Sequence, residues 1–210
     1  MKAIVVVGGG GHAKTVIALL KRAGSYAILG YTDLRDRGRV LGAPWLGDDG
    51  ALSELAARRP RPAVVLGIGS VFATDARKIL FAKLEELGFD LPAIVSPAAV
   101  VNEDVLLGPG VVVGDGVIIN PGTTVGKGAI LNTGCSVDHD CDIGAFVHLA
   151  PGVTLSGGVR VGEGALVGTG ANVIHGVAIA AGTTVGAGAT VVADIVVPGV
   201  YVGLPARIKT

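Results

Sequence analysis

A six-residue repeat that covers roughly half of the chain is the strongest constraint on its fold. From Val101 to Val191 every sixth residue is aliphatic, without exception. A period of six fits neither an α-helix nor a simple amphipathic strand, whose side chains repeat about every 3.6 and 2 residues. It fits short straight segments joined by corners. Internal repeats of this kind indicate a β-solenoid, in which stacked units bury one continuous core.

Two further columns accompany the aliphatic one. Four residues after each aliphatic residue stands another small or branched residue, which predicts a second inward-facing column. The residue directly after the aliphatic one is often glycine, asparagine or aspartate, the types that tolerate a positive φ. We therefore expect the corners, and their positive φ angles, at the following positions: Asn102, Gly108, Gly114, Asn120, Gly126, Asn132, Asp138, Gly144, Gly162, Gly168 and Gly186.

A different domain precedes the repeat. Of the 17 Lys and Arg residues, 13 lie before residue 96. The segment Leu91–Pro97 carries two prolines and is expected to be extended, which places a boundary between a domain of residues 1–95 and one of residues 96–210. β-rich runs alternate with helical stretches before this boundary, and that alternation predicts an α/β domain with a parallel sheet. The predicted strands are Ala3–Val7, Ala27–Thr32 and Val64–Ile68, and the predicted helices are Ala13–Ala23, Ser53–Arg59 and Thr74–Leu87.

A glycine run joins the first predicted strand to the first predicted helix. Gly8, Gly10 and Ala13 match the pattern G-x-G-x-x-A, and a strand-to-helix turn of this kind presents backbone N–H groups and a helix N-terminus to an anion. Asp33 follows the second strand, where a ribose-binding acid is expected. The short domain leaves no room for a full dinucleotide fold, so a mononucleotide or nucleotide-sugar site fits better. The alternative is a tight turn without a ligand.

Composition narrows the classes of function. The formal net charge is zero, which gives no indication of nucleic-acid or membrane binding. The chain has no run of eighteen apolar residues, and its apolar start is too short for a signal-peptide core, so we expect a cytoplasmic protein without a membrane span. Cys135 and Cys141 both fall in the second inward column, and we expect buried free thiols.

Four stretches together resemble one family that covers nearly the whole chain. A small Rossmann-like domain followed by a left-handed parallel β-helix of hexapeptide repeats resembles the bacterial nucleotide-sugar N-acetyltransferases and the related sialic-acid O-acetyltransferases. The stretches that carry the resemblance are Val7-Gly8-Gly9-Gly10-Gly11-His12-Ala13-Lys14, Asn132-Thr133-Gly134-Cys135-Ser136-Val137-Asp138-His139-Asp140-Cys141, His148, and Gly203-Leu204-Pro205-Ala206.

The resemblance implies roles for individual residues. His139 matches the general base, and Asp140 matches the carboxylate that orients it, although some members have the longer glutamate there. His148 matches a histidine at the acetyl end of acetyl-CoA, and Thr169 and Ala187 match the pantetheine path. The nucleotide-sugar site is expected to comprise Gly10, Gly11, His12, Thr32, Asp33, Gly69 and Ser70.

The expected activity is therefore acetyl-CoA-dependent N-acetylation of a nucleotide-linked amino-deoxy sugar, by direct attack on the thioester and without a metal. O-acetylation of sialic acid or a related sugar is the alternative. A zinc carbonic anhydrase of the same fold needs three histidines, and no compact pair occurs on one coil here. A homotrimer with active sites between subunits is implied, and three aliphatic residues outside the inward columns fit such an interface: Val112, Ile118 and Ile130.

Overall fold

The computed structural model describes residues 1–69 and 76–209, and these residues form two compact units. The first unit extends to Pro97, and the second begins at Ala98. Each unit has its own architecture.

The first unit is an α/β domain with a three-stranded parallel sheet, in which β1 (Lys2–Val7) lies between β2 (Tyr26–Thr32) and β3 (Ala63–Leu66). All the strands and helices predicted for it are present, with most ends shifted by a few residues, and the predicted start of the last helix at Thr74 lies outside the described residues. The central strand β1 and its neighbour β3 are almost entirely buried, as their continuous apolar sequences require. The elements are β1 (Lys2–Val7), α1 (Gly11–Ala23), β2 (Tyr26–Thr32), α2 (Ala51–Ala57), β3 (Ala63–Leu66), α3 (Ala76–Glu86) and β4 (Ile94–Val95).

Helix α1 packs on this sheet through one apolar face and begins directly at the glycine run, two residues before the predicted start. It ends at Gly24, which has φ 65° and donates its backbone N–H to the carbonyl of Leu20. Lys21 and Arg22 lie in the last turn, where their positive charges interact favourably with the negative end of the helix dipole. The opposite, N-terminal end of the helix lies at the glycine turn.

The second unit is a left-handed parallel β-solenoid, and the predicted fold class is confirmed. Its strands are two residues long and recur every six residues. They are β5 (Val100–Val101), β6 (Leu106–Leu107), β7 (Val112–Val113), β8 (Ile118–Ile119), β9 (Thr124–Val125), β10 (Ile130–Leu131), β11 (Ser136–Val137), β12 (Asp142–Ile143), β13 (His148–Leu149), β14 (Thr154–Leu155), β15 (Arg160–Val161), β16 (Leu166–Val167), β17 (Asn172–Val173), β18 (Ala178–Ile179), β19 (Thr184–Val185) and β20 (Thr190–Val191).

These strands form three sheets, one on each side of the solenoid, because every third strand stacks on the next in parallel. We call them the first sheet (β5, β8, β11, β14, β17, β20), the second sheet (β6, β9, β12, β15, β18) and the third sheet (β7, β10, β13, β16, β19). The third sheet is extended by β21 (Val200–Val202), parallel to β19, and by β22 (Arg207–Ile208), antiparallel to β21.

Stacking places residues eighteen apart directly beside each other. Val137, for example, pairs with Ile119 on one side and Leu155 on the other, and all three side chains point inward and are at most 1% exposed. Burying one such side chain stabilises the fold by about 1.5–3 kcal/mol. From Val111 onward the second inward column is also buried, including Cys135 and Cys141, which are unpaired thiols as predicted. Burial raises the pKa of the Cys135 thiol to about 11.

The expectation about the corners was wrong, because none of the eleven positions directly after the aliphatic residue has a positive φ. This holds for the asparagines and Asp138 as well as for glycines such as Gly108 and Gly126. These two glycines are required because a Cβ atom there would lie 2.7 Å from the backbone nitrogen of Lys127 and 2.5 Å from that of Ala145, in the next coil. Positive φ angles fall two residues later, for example at Gly110 with φ 66°. Glycines directly after the aliphatic residue therefore permit the close approach of coils, and the residues with positive φ two positions later turn the corner.

Within residues 1–69 and 76–209, no helix has the length and apolar character needed to cross a membrane.

Candidate functional site

The four glycines between β1 and α1 have two different physical roles. A Cβ atom on Gly8, whose φ is 110°, would lie 2.7 Å from Cγ1 of Ile68, and one on Gly9 would lie 2.5 Å from the ring of Tyr31. These two glycines are required by packing. A Cβ atom on Gly10 or Gly11 would meet nothing within 4 Å. Their backbone is thus open to a ligand at the helix N-terminus, where an anion is favoured.

Asp33 ties this turn to the loop that follows β2. Its Oδ2 accepts a hydrogen bond from the backbone N–H of Gly9 at 2.8 Å and another from Nε of Arg37 at 3.1 Å, and its Oδ1 accepts one from the backbone N–H of Arg35. Burial by itself would raise the pKa of the Asp33 carboxyl, but the hydrogen bonds from Arg35, Gly9 and Arg37 outweigh it and lower that pKa. Asp33 is therefore ionised and already occupied by contacts within the chain.

The loop itself is held by a buried tyrosine. The hydroxyl of Tyr31 accepts a hydrogen bond from the backbone N–H of Arg37 and donates one to the carbonyl of Gly38, each at 2.9 Å. Asp33 and Tyr31 together fix the position of Arg37 beside the glycine turn.

A cleft of about 750 Å³ opens beside these residues, within the range of small-molecule sites. Six of the residues predicted for the nucleotide-sugar site line it: Gly10, Gly11, His12, Thr32, Asp33 and Gly69. Ser70, the seventh, lies outside the described residues. The hydroxyl of Thr32 is buried and makes no hydrogen bond within residues 1–69 and 76–209.

Sequence reasoning missed several residues that line this cleft. Leu34 and Ile79 are aliphatic yet 78% and 67% exposed, and they give the cleft an apolar rim. Arg37 also lines a second cavity of about 500 Å³, which it shares with Gly9–Gly11, Lys14 and Arg39. One cavity thus has an apolar rim, and the adjoining one carries positive charge.

In the second unit, His139 lies at the corner that follows β11, and its side chain is 55% exposed. Its Nδ1 donates a hydrogen bond to Oδ2 of Asp140 at 2.8 Å, so the shorter carboxylate does reach the ring. Asp140 has φ 57°, at a corner position that glycine occupies in most repeats. Aspartate is among the few residues that tolerate this conformation. The hydrogen bond leaves Nε2 of His139 as the nitrogen that can accept a proton.

A second carboxylate, Asp138, also acts on His139. Its Oδ1 accepts hydrogen bonds from the backbone N–H of His139 at 2.8 Å and from Nδ2 of Asn120 at 3.0 Å, and Asn120 in turn accepts one from Asn102. The hydrogen bond with Asp140, and then the charge of Asp138, raise the pKa of His139 above its ordinary value. The 18-residue spacing of Asn102, Asn120 and Asp138 was the available sequence signal for this ladder.

The residues expected to contact acetyl-CoA lie on or directly after the third sheet. His148 begins β13 and is half-buried, and Nδ2 of Asn132 lies 3.4 Å from its Nε2. Thr169 and Ala187 occupy the corners after β16 and β19 and stack in adjacent coils, since the backbone N–H of Gly188 bonds to the carbonyl of Thr169 at 2.8 Å. His148 instead pairs with Leu166 on the sheet itself. His139 belongs to the corner after the first sheet.

No cluster of histidine, cysteine and acidic side chains able to hold a metal ion occurs among the residues that the structure describes.

Comparisons with known proteins cover both units. Residues 3–84 match the family model of the PglD N-terminal domain. Among solved structures, a perosamine N-acetyltransferase from Caulobacter crescentus, a histidine variant in complex with CoA and GDP-perosamine, is 43% identical with a TM-score of 0.92. The match covers 100% of this chain and 98% of that one. A search of curated proteins found no match.

Two further solved structures match along their full length. The acetyltransferase domain of PglB from Neisseria gonorrhoeae, in complex with acetyl coenzyme A, is 34% identical with a TM-score of 0.93, and the match covers 99% of each chain. WeeI from Acinetobacter baumannii is 27% identical with a TM-score of 0.88, and the match covers 100% of each chain.

The two carboxylates around His139 predict how its protonation responds to substitution. Asp140→Asn should lower the pKa of His139, because it removes the largest of the effects that raise it, and Asp138→Asn should lower it by less. The neutral imidazole of either variant would then persist to lower pH than in the unmodified chain. Histidine Cε1–H resonances followed by NMR from pH 5 to 9 measure this, with His12 as the internal control. An unchanged His139 pKa in Asp140→Asn would contradict the arrangement.

Proposed function

Given that the chain belongs to the hexapeptide-repeat nucleotide-sugar acetyltransferases, we propose which sugar nucleotide it accepts and which residues carry the reaction. The enzyme transfers the acetyl group of acetyl-CoA to the amino group of a nucleotide-linked amino sugar. The proposed acceptor is GDP-perosamine or a closely similar GDP-linked amino sugar. The 43% identity over the whole chain to an enzyme crystallised with GDP-perosamine carries this proposal.

The cleft of the first unit supports binding of a nucleotide diphosphate sugar. The exposed aliphatic side chains of Leu34 and Ile79 suit the faces of a base. The open backbone of Gly10 and Gly11, together with the guanidinium of Arg37, suits phosphate groups. In this proposal Asp33 acts mainly by holding Arg37 and the glycine turn in place.

The proposed reaction is direct attack of the sugar amine on the thioester. Nε2 of His139 accepts a proton from the amine as its nitrogen forms a bond to the acetyl carbon. The tetrahedral intermediate then collapses, the carbon–sulfur bond breaks, and the CoA thiolate takes up the proton held on Nε2, which restores the neutral imidazole. Asp140 holds the ring by its Nδ1–H and, with Asp138, stabilises the imidazolium that forms. Neither a covalent enzyme intermediate nor a metal ion is needed.

We further propose that the active enzyme is a homotrimer with active sites between subunits. His139 follows the first sheet, whereas His148 lies on the third sheet and Thr169 and Ala187 follow it, so a neighbouring solenoid is the natural source of the second set. The outer faces carry exposed aliphatic residues that suit packing, including Leu106 at 66% and Ile118 at 42%. Val112 and Ile130, expected at such an interface, are instead buried within the chain. Light scattering tests for a mass three times that of the 20.8 kDa chain.

The proposed location is the cytoplasm. The two buried, unpaired thiols are compatible with a reducing compartment.

A substrate panel tests the proposed acceptor. We expect release of CoA thiol from acetyl-CoA with GDP-perosamine, weaker release with UDP- and dTDP-linked 4-amino sugars, and none with the corresponding 4-hydroxy sugar nucleotides. The measurement is thiol release, with the product identified by mass. Turnover with free sialic acid but with no nucleotide amino sugar would contradict the proposal in favour of an O-acetyltransferase.

His139→Ala should lower kcat by about 10²–10⁴, the usual effect of losing a general base. Binding of both substrates should survive, because the side chain lies at an exposed corner and contributes no core volume. His175→Ala is the matched control, since His175 occupies the same corner two coils further on and is also exposed. Its kcat should stay within about threefold. If His139→Ala keeps more than about a third of the activity, the base lies elsewhere.

Asp33→Ala should raise KM for the sugar nucleotide about tenfold or more, because Arg37 and the Gly9 backbone lose their common partner. KM for acetyl-CoA should be nearly unchanged. Asp36→Ala is the control in the same loop, since Asp36 only caps Gly38 and lines neither cavity. Steady-state kinetics with each substrate varied measure both effects. Equal changes in the two KM values would indicate a folding defect instead.

A further inference from the structure

One corner of the solenoid lacks a side chain where every other repeat carries one. The position two residues after each inward aliphatic residue is occupied by Glu103, Pro109, Asp115, Pro121, Lys127, Thr133, His139, Ala145, Pro151, Gly157, Glu163, Thr169, His175, Ala181, Ala187 and Ala193. Gly157 is the single glycine among them. The repeat pattern therefore contains an exception at one defined place.

The backbone does not explain this glycine. Gly157 does not have a positive φ; the left-handed conformation of this corner belongs to the next residue, Gly158, with φ 69°. An alanine would adopt the backbone of Gly157 without strain. Glycine loses more conformational freedom than alanine on folding, so it costs stability where nothing requires it. Some other requirement must favour the absence of a side chain.

The ring of His139 fills the space that a side chain at position 157 would need. Val137 pairs with Leu155 in the next coil, and this register sets His139 directly beside Gly157. A Cβ atom built on Gly157 would lie 2.7 Å from both Cε1 and Nε2 of His139 and 3.2 Å from its Cδ2. Such distances are far shorter than an ordinary contact, so either the ring or the backbone would have to move.

The neighbouring corner shows that this crowding is not general. A Cβ atom on Gly158 would lie 3.8 Å from Cε1 of His175, an ordinary contact. The His139 ring is instead held on two sides. Asp140 binds its Nδ1, and the bare Cα of Gly157 lies beside its Cε1–Nε2 edge.

We infer that Gly157 is a positioning residue for His139, and that its missing side chain sets where Nε2 lies. This inference rests on the proposed role of His139 as the base. A methyl group at position 157 would push the imidazole off the corner while Asp140 still binds Nδ1, so Nε2 would swing away from the amine. Displacements of about 1 Å in a reacting group can cost about 10²-fold in rate.

The test is the variant Gly157→Ala, made alone and together with His139→Ala. Alone, it should lower kcat about 10- to 100-fold and leave KM for both substrates within about threefold. In the His139→Ala background it should change kcat by less than about twofold, since no ring remains to be displaced. An equal loss in both backgrounds, or no loss in the first, would overturn the inference. An equal loss in both backgrounds would mean that position 157 acts through the backbone or the fold.

NMR supplies a readout that does not depend on the role of His139 in the reaction. The Cε1–H resonance of His139 should shift in Gly157→Ala, while that of His12, in the first unit, should not. An unchanged His139 resonance would also overturn the inference. If His139→Ala proved active, the proposed base would fail, and this resonance would still decide whether Gly157 positions the ring.

Discussion

The register between successive coils is the constraint on which the rest of the second unit depends. Backbone hydrogen bonds between the coils set residues eighteen apart side by side, and inward aliphatic side chains stack in the same register. The coils can approach this closely because glycines directly after many of the aliphatic residues have no Cβ to meet the backbone of the next coil. Once this register is set, the neighbour of every corner residue is determined.

The proposed base of the solenoid lies at such a corner because the inward positions are committed to packing. His139 lies outside the core, yet its surroundings come from three successive coils: Asn120 below, Asp138 and Asp140 in its own coil, and Gly157 above. Asp140 takes a left-handed conformation that glycine adopts in most repeats, and its carboxylate reaches the ring from there. A rigid repeat thus holds a partly exposed imidazole in one orientation, as the proposed general base catalysis would require.

The first unit obtains its order from hydrogen bonds rather than from repetition. The carboxylate of Asp33 accepts hydrogen bonds from the backbone of Gly9 and from Arg37, and Tyr31 holds the loop that carries Arg37. The glycine turn and the loop after β2 are therefore held together as one rigid segment. Gly10, Gly11 and Arg37 face the cavities, so a ligand that bound there would meet groups whose positions are already fixed.

The solenoid, the α/β domain, the glycine turn, and the position of His139 at a corner beside an acid could all be predicted from the sequence. These features are local or periodic, so spacing alone encodes them. The folded chain was needed to show which glycine column turns the corners, that Arg37, Leu34 and Ile79 reach the cleft, and that Gly157 makes room for the His139 ring. Each of these depends on contacts between segments distant in the chain, and composition at one position does not reveal what will lie against it.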